Sequence, residues 1–231
     1  MRTAAVVPGA GAGARMNRTM PKQYLPLGGK PIIARTLESL DRTPIIDEIL
    51  LVLDAKEFDY FRREVMKPRR WKKPCRLVEG GLTRQQSVYN GLKEIKEDFD
   101  LVLIHDAVRP FIEEETIMEI IAQAAIHGAA AAAVPATDTI KKTDRDGFIS
   151  GTVPRDGLWA VQTPQAFRRE IILRAHEQAV KDGFIATDDA SLVERIGLRV
   201  KIVESSRWNF KITTAEDLVV AEGILRELNL P

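Results

Sequence analysis

Thr3-Ala4-Ala5-Val6-Val7-Pro8-Gly9-Ala10-Gly11-Ala12-Gly13-Ala14-Arg15-Met16 is the stretch from which the rest of the chain is read. A short, partly β-branched apolar run leads straight into a turn in which glycine and alanine alternate and an arginine closes the pattern. A strand that ends in such a turn opens a βα unit. Residues without a Cβ let successive backbone N–H groups come close to a phosphate chain. The spacing Gly9, Gly11, Gly13 fits neither the dinucleotide fingerprint G-x-G-x-x-G nor the P-loop G-x-x-x-x-G-K-[ST]. The turn therefore points to a nucleotide phosphate without saying which nucleotide.

Outward from this turn the rhythm repeats. Apolar runs at 3–7, 48–53, 76–78 and 101–105 alternate with helical patterns at 31–41, 55–66, 84–96 and 113–126. That alternation predicts an α/β fold, a Rossmann-like, mostly parallel twisted sheet flanked by helices. Thr83 is placed to cap the third helix and Pro31 to open the first, while the alanine-rich run 129–134 reads as a strand buried on both faces. Between 137 and 157 the rhythm breaks. Two polar, β-branched segments, 139–143 and 148–153, flank the turn-rich 144–147, which predicts a protruding β-hairpin arm. Helical patterns resume at 168–181 and 189–196, a last strand covers 199–204, and 215–228 closes the chain. No linker or repeat interrupts it, so 1–231 is expected to be a single domain.

Composition narrows the class. In 231 residues, Lys+Arg 34 against Asp+Glu 33 leaves a net charge of +1, too little to hold a nucleic acid or an anionic membrane, so any phosphate must be gripped locally. Cys75 is the only cysteine, which rules out an intrachain disulfide and fits a reducing, cytoplasmic setting. The opening apolar run is too short for a signal peptide, and no stretch reaches the roughly 20 apolar residues of a membrane span. His105, His127 and His176 share no short ligand spacing with Cys75, so no structural zinc is expected. The basic cluster Lys67, Arg69, Arg70, Lys72 and Lys73 reads as a solvated loop.

The turn gains meaning from Arg15 at its end and Lys22 in Pro21-Lys22-Gln23-Tyr24-Leu25, because nucleotidyl transfer needs fixed cations on developing oxyanions. The stretch G-A-G-A-R-M followed by P-K-Q-Y-L-P-L-G-G-K-P-I resembles the opening of the 2-C-methyl-D-erythritol 4-phosphate cytidylyltransferases, in the sugar-nucleotidyltransferase superfamily. Gly9 departs from the alanine usual at that place, a change expected to loosen the turn without removing a phosphate donor. The resemblance continues through Gly80-Gly81-Leu82-Thr83-Arg84-Gln85-Gln86-Ser87-Val88, His105-Asp106-Ala107-Val108-Arg109-Pro110 and Asp138-Thr139-Ile140-Lys141. It runs on through Val153-Pro154-Arg155, Gln162-Thr163-Pro164-Gln165, Thr187-Asp188-Asp189-Ala190 and Lys211-Ile212-Thr213, so that it spans essentially the whole chain.

Taken one at a time, these residues have structural readings too. Arg84 and Arg109 serve equally as ion-pair partners, Ser87 as a helix-face hydroxyl, His105 as a structural residue, and Thr187 as an N-cap with Asp188 and Asp189 in the first turn behind it. Asp106, a carboxylate ending an apolar strand, needs a partner such as a metal or a substrate hydroxyl.

The resemblance implies transfer of a cytidylyl group from CTP to 2-C-methyl-D-erythritol 4-phosphate, giving 4-diphosphocytidyl-2-C-methyl-D-erythritol and pyrophosphate, in the non-mevalonate isoprenoid pathway. It implies Arg15, Lys22 and Lys211 as catalytic cations, and Gly9, Ala10, Gly11, Gly13, Gly81, Ser87 and Asp106 around the nucleotide. Arg109, Thr139, Arg155, Thr163 and Thr187 would line the alcohol-phosphate pocket. Mg²⁺ would be held mainly by CTP phosphates, with Asp106 a further candidate ligand. A homodimer is expected, in which the arm of one subunit reaches the other, and no fused downstream synthase domain is expected. Three alternatives stay open: a ribitol 5-phosphate cytidylyltransferase, a non-catalytic nucleotide sensor, and a dinucleotide oxidoreductase using Asp54, which lies too far from the loop for the usual spacing of about 20 residues.

Overall fold

The opening apolar run is a strand, β1 (Thr3–Pro8), whose interior positions are wholly buried. After it come a 3₁₀ turn (Lys22–Tyr24), a small β2–β3 pair (Pro26–Leu27 and Lys30–Pro31), α1 (Ile32–Arg42) and β4 (Glu48–Leu53). Then follow α2 (Phe58–Phe61), β5 (Cys75–Glu79), α3 (Arg84–Lys93), β6 (Leu101–Ile104), α4 (Glu114–His127) and β7 (Ala129–Pro135). The chain continues through β8 (Ile140–Thr143), β9 (Ile149–Val153), β10 (Trp159–Arg168), α5 (Arg169–Asp182), α6 (Asp189–Arg195), β11 (Lys201–Glu204) and α7 (Ala215–Glu227). The structure is a computed structural model that describes residues 1–11 and 20–228.

Seven strands form one sheet in the order β11-β7-β10-β6-β1-β4-β5. β1 lies near its centre, parallel to β4 on one side and β6 on the other, with Val6 opposite Leu50 and Ile104. Only β10 runs antiparallel to its neighbours, β6 and β7.

The two-residue period of each strand sorts the core onto two faces. Ala5, Val7, Leu51 and Leu103 pack with Ile33 and Leu37 of α1 and Ile117 and Ile120 of α4. Ala4, Val6, Leu50 and Val102 pack with Val88 and Leu92 of α3, Ile172 of α5 and Leu192 of α6. Both faces are covered, which is why these strands read as continuous apolar runs. On the second face α3 comes so close that a Cβ on Gly91 would sit 2.7 Å from Val6 Cγ1. A third cluster, with Leu27, Ile32, Val108, Phe111, Ile212 and Leu225, docks α7 against the strand ends and fixes the segment that carries Lys211. The Ile212 amide completes this by donating to Val108 O at 3.0 Å.

The arm takes the expected shape. β8 and β9 pair antiparallel with each other alone, and Asp144 Oδ1 accepts the amides of Asp146 and Phe148 to close the turn.

β10 is the element that the sequence hides. Pro164 and the polar residues around it break strand alternation, and the ladder to β7 tolerates the proline through a register shift between Val161 and Gln165. Pro31 immediately precedes α1 instead of opening it. The helical stretch after β4 is a composite of a 3₁₀ turn (Ala55–Glu57), α2 and a π turn (Arg62–Met66). The cap of α6 is Asp188, whose side chain accepts from Ser191 N, and not Thr187, because Asp188 stands one residue nearer to the helix and has the stronger acceptor. Thr83 does cap α3, accepting from Gln86 N.

Candidate active site

The ends of β1, β5 and β6 meet around a cavity of 260 Å³, at the carboxyl edge where open α/β sheets hold ligands. Its wall takes Pro8, Gly9, Ala10 and Gly11 from the first turn, Lys22 and Gln23 from the 3₁₀ turn, and Gly81, Leu82, Thr83, Arg84 and Ser87 from the entry to α3. Asp106, Ala107 and Val108 come from the exit of β6, and Lys211 from the approach to α7. Eight of the residues that the resemblance singles out therefore stand together here: Gly9, Ala10, Gly11, Lys22, Gly81, Ser87, Asp106 and Lys211. Gly13 and Arg15 lie outside the described residues.

Hydrogen bonds hold the first turn against the sheet. The Gly9 amide donates to Val52 O at 2.8 Å, and its carbonyl accepts from Gln23 Nε2 at 2.9 Å. Gly9 thus lines the cavity with its amide already engaged, which corrects the expectation that it supplies a phosphate donor. A Cβ there would stand 2.9 Å from Leu53 Cδ2 and 3.3 Å from Ala107 Cβ, so glycine lets the turn settle closely onto β4 instead of loosening it.

At the entry to α3 the Gly81 amide donates to Ser87 Oγ at 3.1 Å, and Ser87 Oγ donates to Thr83 O at 2.9 Å. The Ser87 hydroxyl is buried and shapes the Gly81 turn, so it meets a ligand only along the cavity wall.

Opposite these turns lies a charged cluster centred on Asp106, whose side chain is 8 % exposed. Arg84 Nε stands 3.0 Å from Oδ1, Lys211 Nζ 2.9 Å from Oδ2, and Arg109 Nε 3.7 Å from Oδ2. Burial alone would raise the carboxyl's pKa, but Arg84, Lys211 and Arg109 outweigh it and hold the group well below the usual carboxylate range. Arg84 reaches past Asp106 to Asp189, with Nη1 2.8 Å from Oδ2, and Asp189 Oδ1 stands 3.2 Å from His176 Nε2. Burial acts to lower the Arg84 pKa, and its two carboxylates reverse that. Within this cluster three cations, Arg84, Arg109 and Lys211, face two carboxylates, Asp106 and Asp189, which leaves a positive excess beside the cavity. The cavity is therefore built for an anion.

His105 supports the cluster from beneath. Its Nε2 is 3.0 Å from Arg109 O, a pure acceptor, so Nε2 carries the proton and Nδ1 accepts from Thr163 Oγ at 3.2 Å. Thr163 Oγ accepts in turn from the Asp106 amide at 3.0 Å. Burial then lowers the His105 pKa to about 4, which keeps the ring neutral.

Thr163 is itself buried, and its hydroxyl serves this loop. Arg109 Nη1 donates to Asn209 O at 2.6 Å, and Asn209 Nδ2 donates to Thr163 O at 2.8 Å, which closes a polar ring under the cavity. Thr139 and Arg155 are exposed on the arm, where Arg155 Nη1 donates to Thr137 O at 2.7 Å. Thr187 lines a separate hollow beside Val161 and Ile202. Of the five proposed alcohol-phosphate residues, only Arg109 and Thr163 adjoin the cluster. Asp54, the candidate ribose ligand of an oxidoreductase, accepts from Lys56 N as a helix cap instead.

No group of three or more His, Cys, Asp or Glu side chains able to cage a metal occurs among the described residues. Asp106 is a single carboxylate whose two oxygens already face cations. It fits a divalent ion carried in on substrate phosphates, to which the described residues of the wall would add at most this one carboxylate.

The sequence assigns no site role to Gln23 or Asp189, although both stand in motifs of the resemblance, and leaves Asn209 unmarked. Only the doubled carboxylates of Asp188-Asp189 at the head of an apolar helix gave any signal, because one of the two falls on the inward face.

The family model for 2-C-methyl-D-erythritol 4-phosphate cytidylyltransferase (IspD) matches residues 3–227. A 2-C-methyl-D-erythritol 4-phosphate cytidylyltransferase from Caldanaerobacter subterraneus subsp. tengcongensis is 46 % identical over 227 residues, covering 98 % of this chain and 100 % of the relative. One from Geobacillus kaustophilus is 47 % identical over 225 residues, covering 97 % of each. Among solved structures, the 4-diphosphocytidyl-2C-methyl-D-erythritol synthase of Anaerococcus prevotii superposes with a TM-score of 0.87 at 34 % identity, covering 97 % of this chain and 96 % of that one.

Proposed function

Because the chain belongs to the 2-C-methyl-D-erythritol 4-phosphate cytidylyltransferase family, we propose that its cationic cavity takes CTP and that Lys22 and Lys211, with Arg15, stabilise the transferring phosphoryl group. The reaction of the family is transfer of a cytidylyl group from CTP to 2-C-methyl-D-erythritol 4-phosphate with release of pyrophosphate. An oxygen of the acceptor phosphate forms a bond to the α-phosphorus while the bond from that phosphorus to the bridging oxygen breaks, and pyrophosphate leaves in line. A phosphate dianion is a competent nucleophile near neutral pH, so neither a general base nor a covalent enzyme intermediate is needed.

What the protein must supply is position and positive charge. The observation that carries this reading is the set Arg84, Arg109 and Lys211 converging on Asp106, across one cavity from the glycine turn and Lys22. Asp106 holds the three cations fixed before substrate arrives, so little reorganisation is left for the reaction itself. Ala10, Gly11 and the Gly81–Ser87 turn form the nucleoside side. Mg²⁺ bound to the CTP phosphates would neutralise charge on the leaving pyrophosphate.

The alcohol phosphate would lie beside Arg109, with Thr163 shaping that side from beneath. Thr139 and Arg155, on the arm, enter this pocket in our reading through a second subunit, and Thr187 would sit at the edge of the pocket. In support, Phe148 and Ile149 are 72 % and 65 % exposed on an arm whose two strands, among the described residues, pair only with each other, and an isolated two-stranded hairpin is marginal in water. We take 1–231 as one nucleotidyltransferase domain acting in the cytoplasm. A lone cysteine supports that setting, as does the lack, among the described residues, of any helix long and apolar enough to cross a membrane. Pyrophosphate release from CTP with methylerythritol phosphate, ribitol phosphate or no acceptor tests the assignment. Faster turnover of ribitol phosphate than of methylerythritol phosphate would move it to the other alcohol.

A further inference from the structure

We propose that Gln23 and Glu57 are positioning residues for the nucleotide, forming a strut that locks the glycine turn and Lys22 into one rigid unit. The proposal rests on the reading of the cavity as the CTP site.

Gln23 is 1 % exposed, although its neighbour Lys22 lines the cavity. Its Nε2 donates to Gly9 O at 2.9 Å and to Glu57 Oε2 at 3.0 Å. Both partners are acceptors, a peptide carbonyl and a carboxylate, so the amide has only one workable orientation and both of its hydrogens are engaged. Both peptide groups flanking the Gly9 Cα are thereby held, one through the Gly9 amide on Val52 O and the other through the Gly9 carbonyl on Gln23.

Glu57 is itself anchored. It belongs to the 3₁₀ turn that leaves β4 and is capped by Asp54, and the Glu57 amide donates to Asp54 O at 2.9 Å. A continuous path thus leads from the end of β4 through Glu57 and Gln23 to the first glycine of the turn. The Lys22 backbone shares the same short 3₁₀ turn as Gln23, closed by the Leu25 amide on Lys22 O at 3.1 Å. Neither Gln23 nor Glu57 needs to touch the reacting atoms. Together they fix where the amides of Ala10 and Gly11 and the Lys22 side chain stand relative to the phosphates.

The test compares Gln23→Met, which keeps volume and removes both donors, with Glu57→Met and the conservative Glu57→Gln, which retains an acceptor oxygen. Gln23→Met should raise KM for CTP about tenfold, the loss expected when a hydrogen-bonded anchor disappears, while KM for the alcohol phosphate moves less than about twofold. Glu57→Met should shift the same parameter in the same direction, Glu57→Gln should recover most of that loss, and the double variant should be little worse than Gln23→Met alone, because both changes break one strut. Amide hydrogen exchange at 8–11 in nucleotide-free protein should quicken in Gln23→Met and Glu57→Met. A normal KM for CTP in Gln23→Met, or equal rises in both KM values, would overturn the proposal. So would a loss of kcat that only tracks the folded fraction. If Gln23→Met does not fold, the pair of Glu57 variants decides the matter by the same readouts. Wild-type protein that releases no pyrophosphate from CTP would instead overturn the cavity assignment, and the exchange measurement would still report on the strut.

Discussion

Asp189 Oδ2 stands 2.8 Å from Arg84 Nη1, behind the cavity wall and out of solvent on the carboxylate side. Asp189 also faces His176, and burial of its carboxyl, which would raise the pKa, is outweighed by Arg84 and His176. Removing this carboxylate leaves Arg84 with Asp106 alone and His176 without a partner for Nε2. Asp189→Ala should therefore destabilise the fold by about 3 kcal/mol, the low end for breaking a buried pair because Arg84 keeps some contact with water. Denaturant unfolding measures this, and a loss under about 1 kcal/mol would contradict it.

Acid should weaken the protein in two stages. The folded His105 imidazole titrates at about 4, whereas an unfolded one takes its proton near 6.5. Between those values the unfolded state binds the extra proton, so stability falls as pH drops through that range. Asp106 and Asp189 are depressed carboxylates, so their contribution is present above pH of about 4 and is lost as pH falls below it toward their folded values. Urea midpoints measured from pH 7 to 3 should decline throughout, and the slope between 6.5 and 4 should shrink in His105→Gln. A flat profile from 6.5 to 4.5 would show that His105 accepts its proton in the folded state.

Lys22 and Lys211 are proposed to act on charge that develops during transfer. Replacing either by alanine, or Arg15 likewise, should lower kcat by roughly 10²-fold, with a smaller effect on melting temperature. Steady-state kinetics at saturating CTP separates this from lost affinity, and unchanged kcat in all three variants would remove these residues from the mechanism.

With Asp106 the only described carboxylate on the cavity wall, Mg²⁺ should bind weakly to nucleotide-free protein and well only together with CTP. Calorimetric titration with the metal alone and then with CTP present distinguishes the two. Tight binding of Mg²⁺ to protein without CTP would require ligands beyond this wall.

Much of this architecture could be read before the structure, for physical reasons that differ from element to element. β1, β4 and β6 are buried on both faces, so their sequences are short apolar runs that little else produces. The arm announced itself by losing that apolar character. β10 did not, because its middle carries Gln162, Thr163, Pro164 and Gln165, chosen for polar bonds beneath the site and not for strand periodicity. The site divides in the same way. Glycines and lysines declare themselves by type, and Ser87 and Asp106 by position, but the partners that hold them are polar residues whose roles depend on contacts far along the chain. Asn209 meets Thr163 across 46 positions, Arg84 meets Asp189 across 105, and Gln23 meets Glu57 across 34. No local pattern encodes such pairings.

The arm and the cavity of one chain carry different parts of the proposed site. Arg155 lies at the base of the arm, exposed, with Nη1 on Thr137 O, while Lys22 lies on the cavity wall of the same chain. If the arm completes its neighbour's alcohol-phosphate pocket in a homodimer, Lys22 and Arg155 of one active site come from different subunits. Lys22→Ala and Arg155→Ala proteins, each nearly inactive alone, would then complement each other after subunit exchange, because every heterodimer holds one site with both lesions and one with neither. With equal mixing half the dimers are heterodimers and half of their sites are intact, so activity per site should recover to roughly a quarter of wild type. If Arg155 instead serves its own subunit, every site in the mixture keeps one lesion. A mixture no more active than its two components would then place both residues in the same chain's site and leave the arm without a part in its neighbour's chemistry.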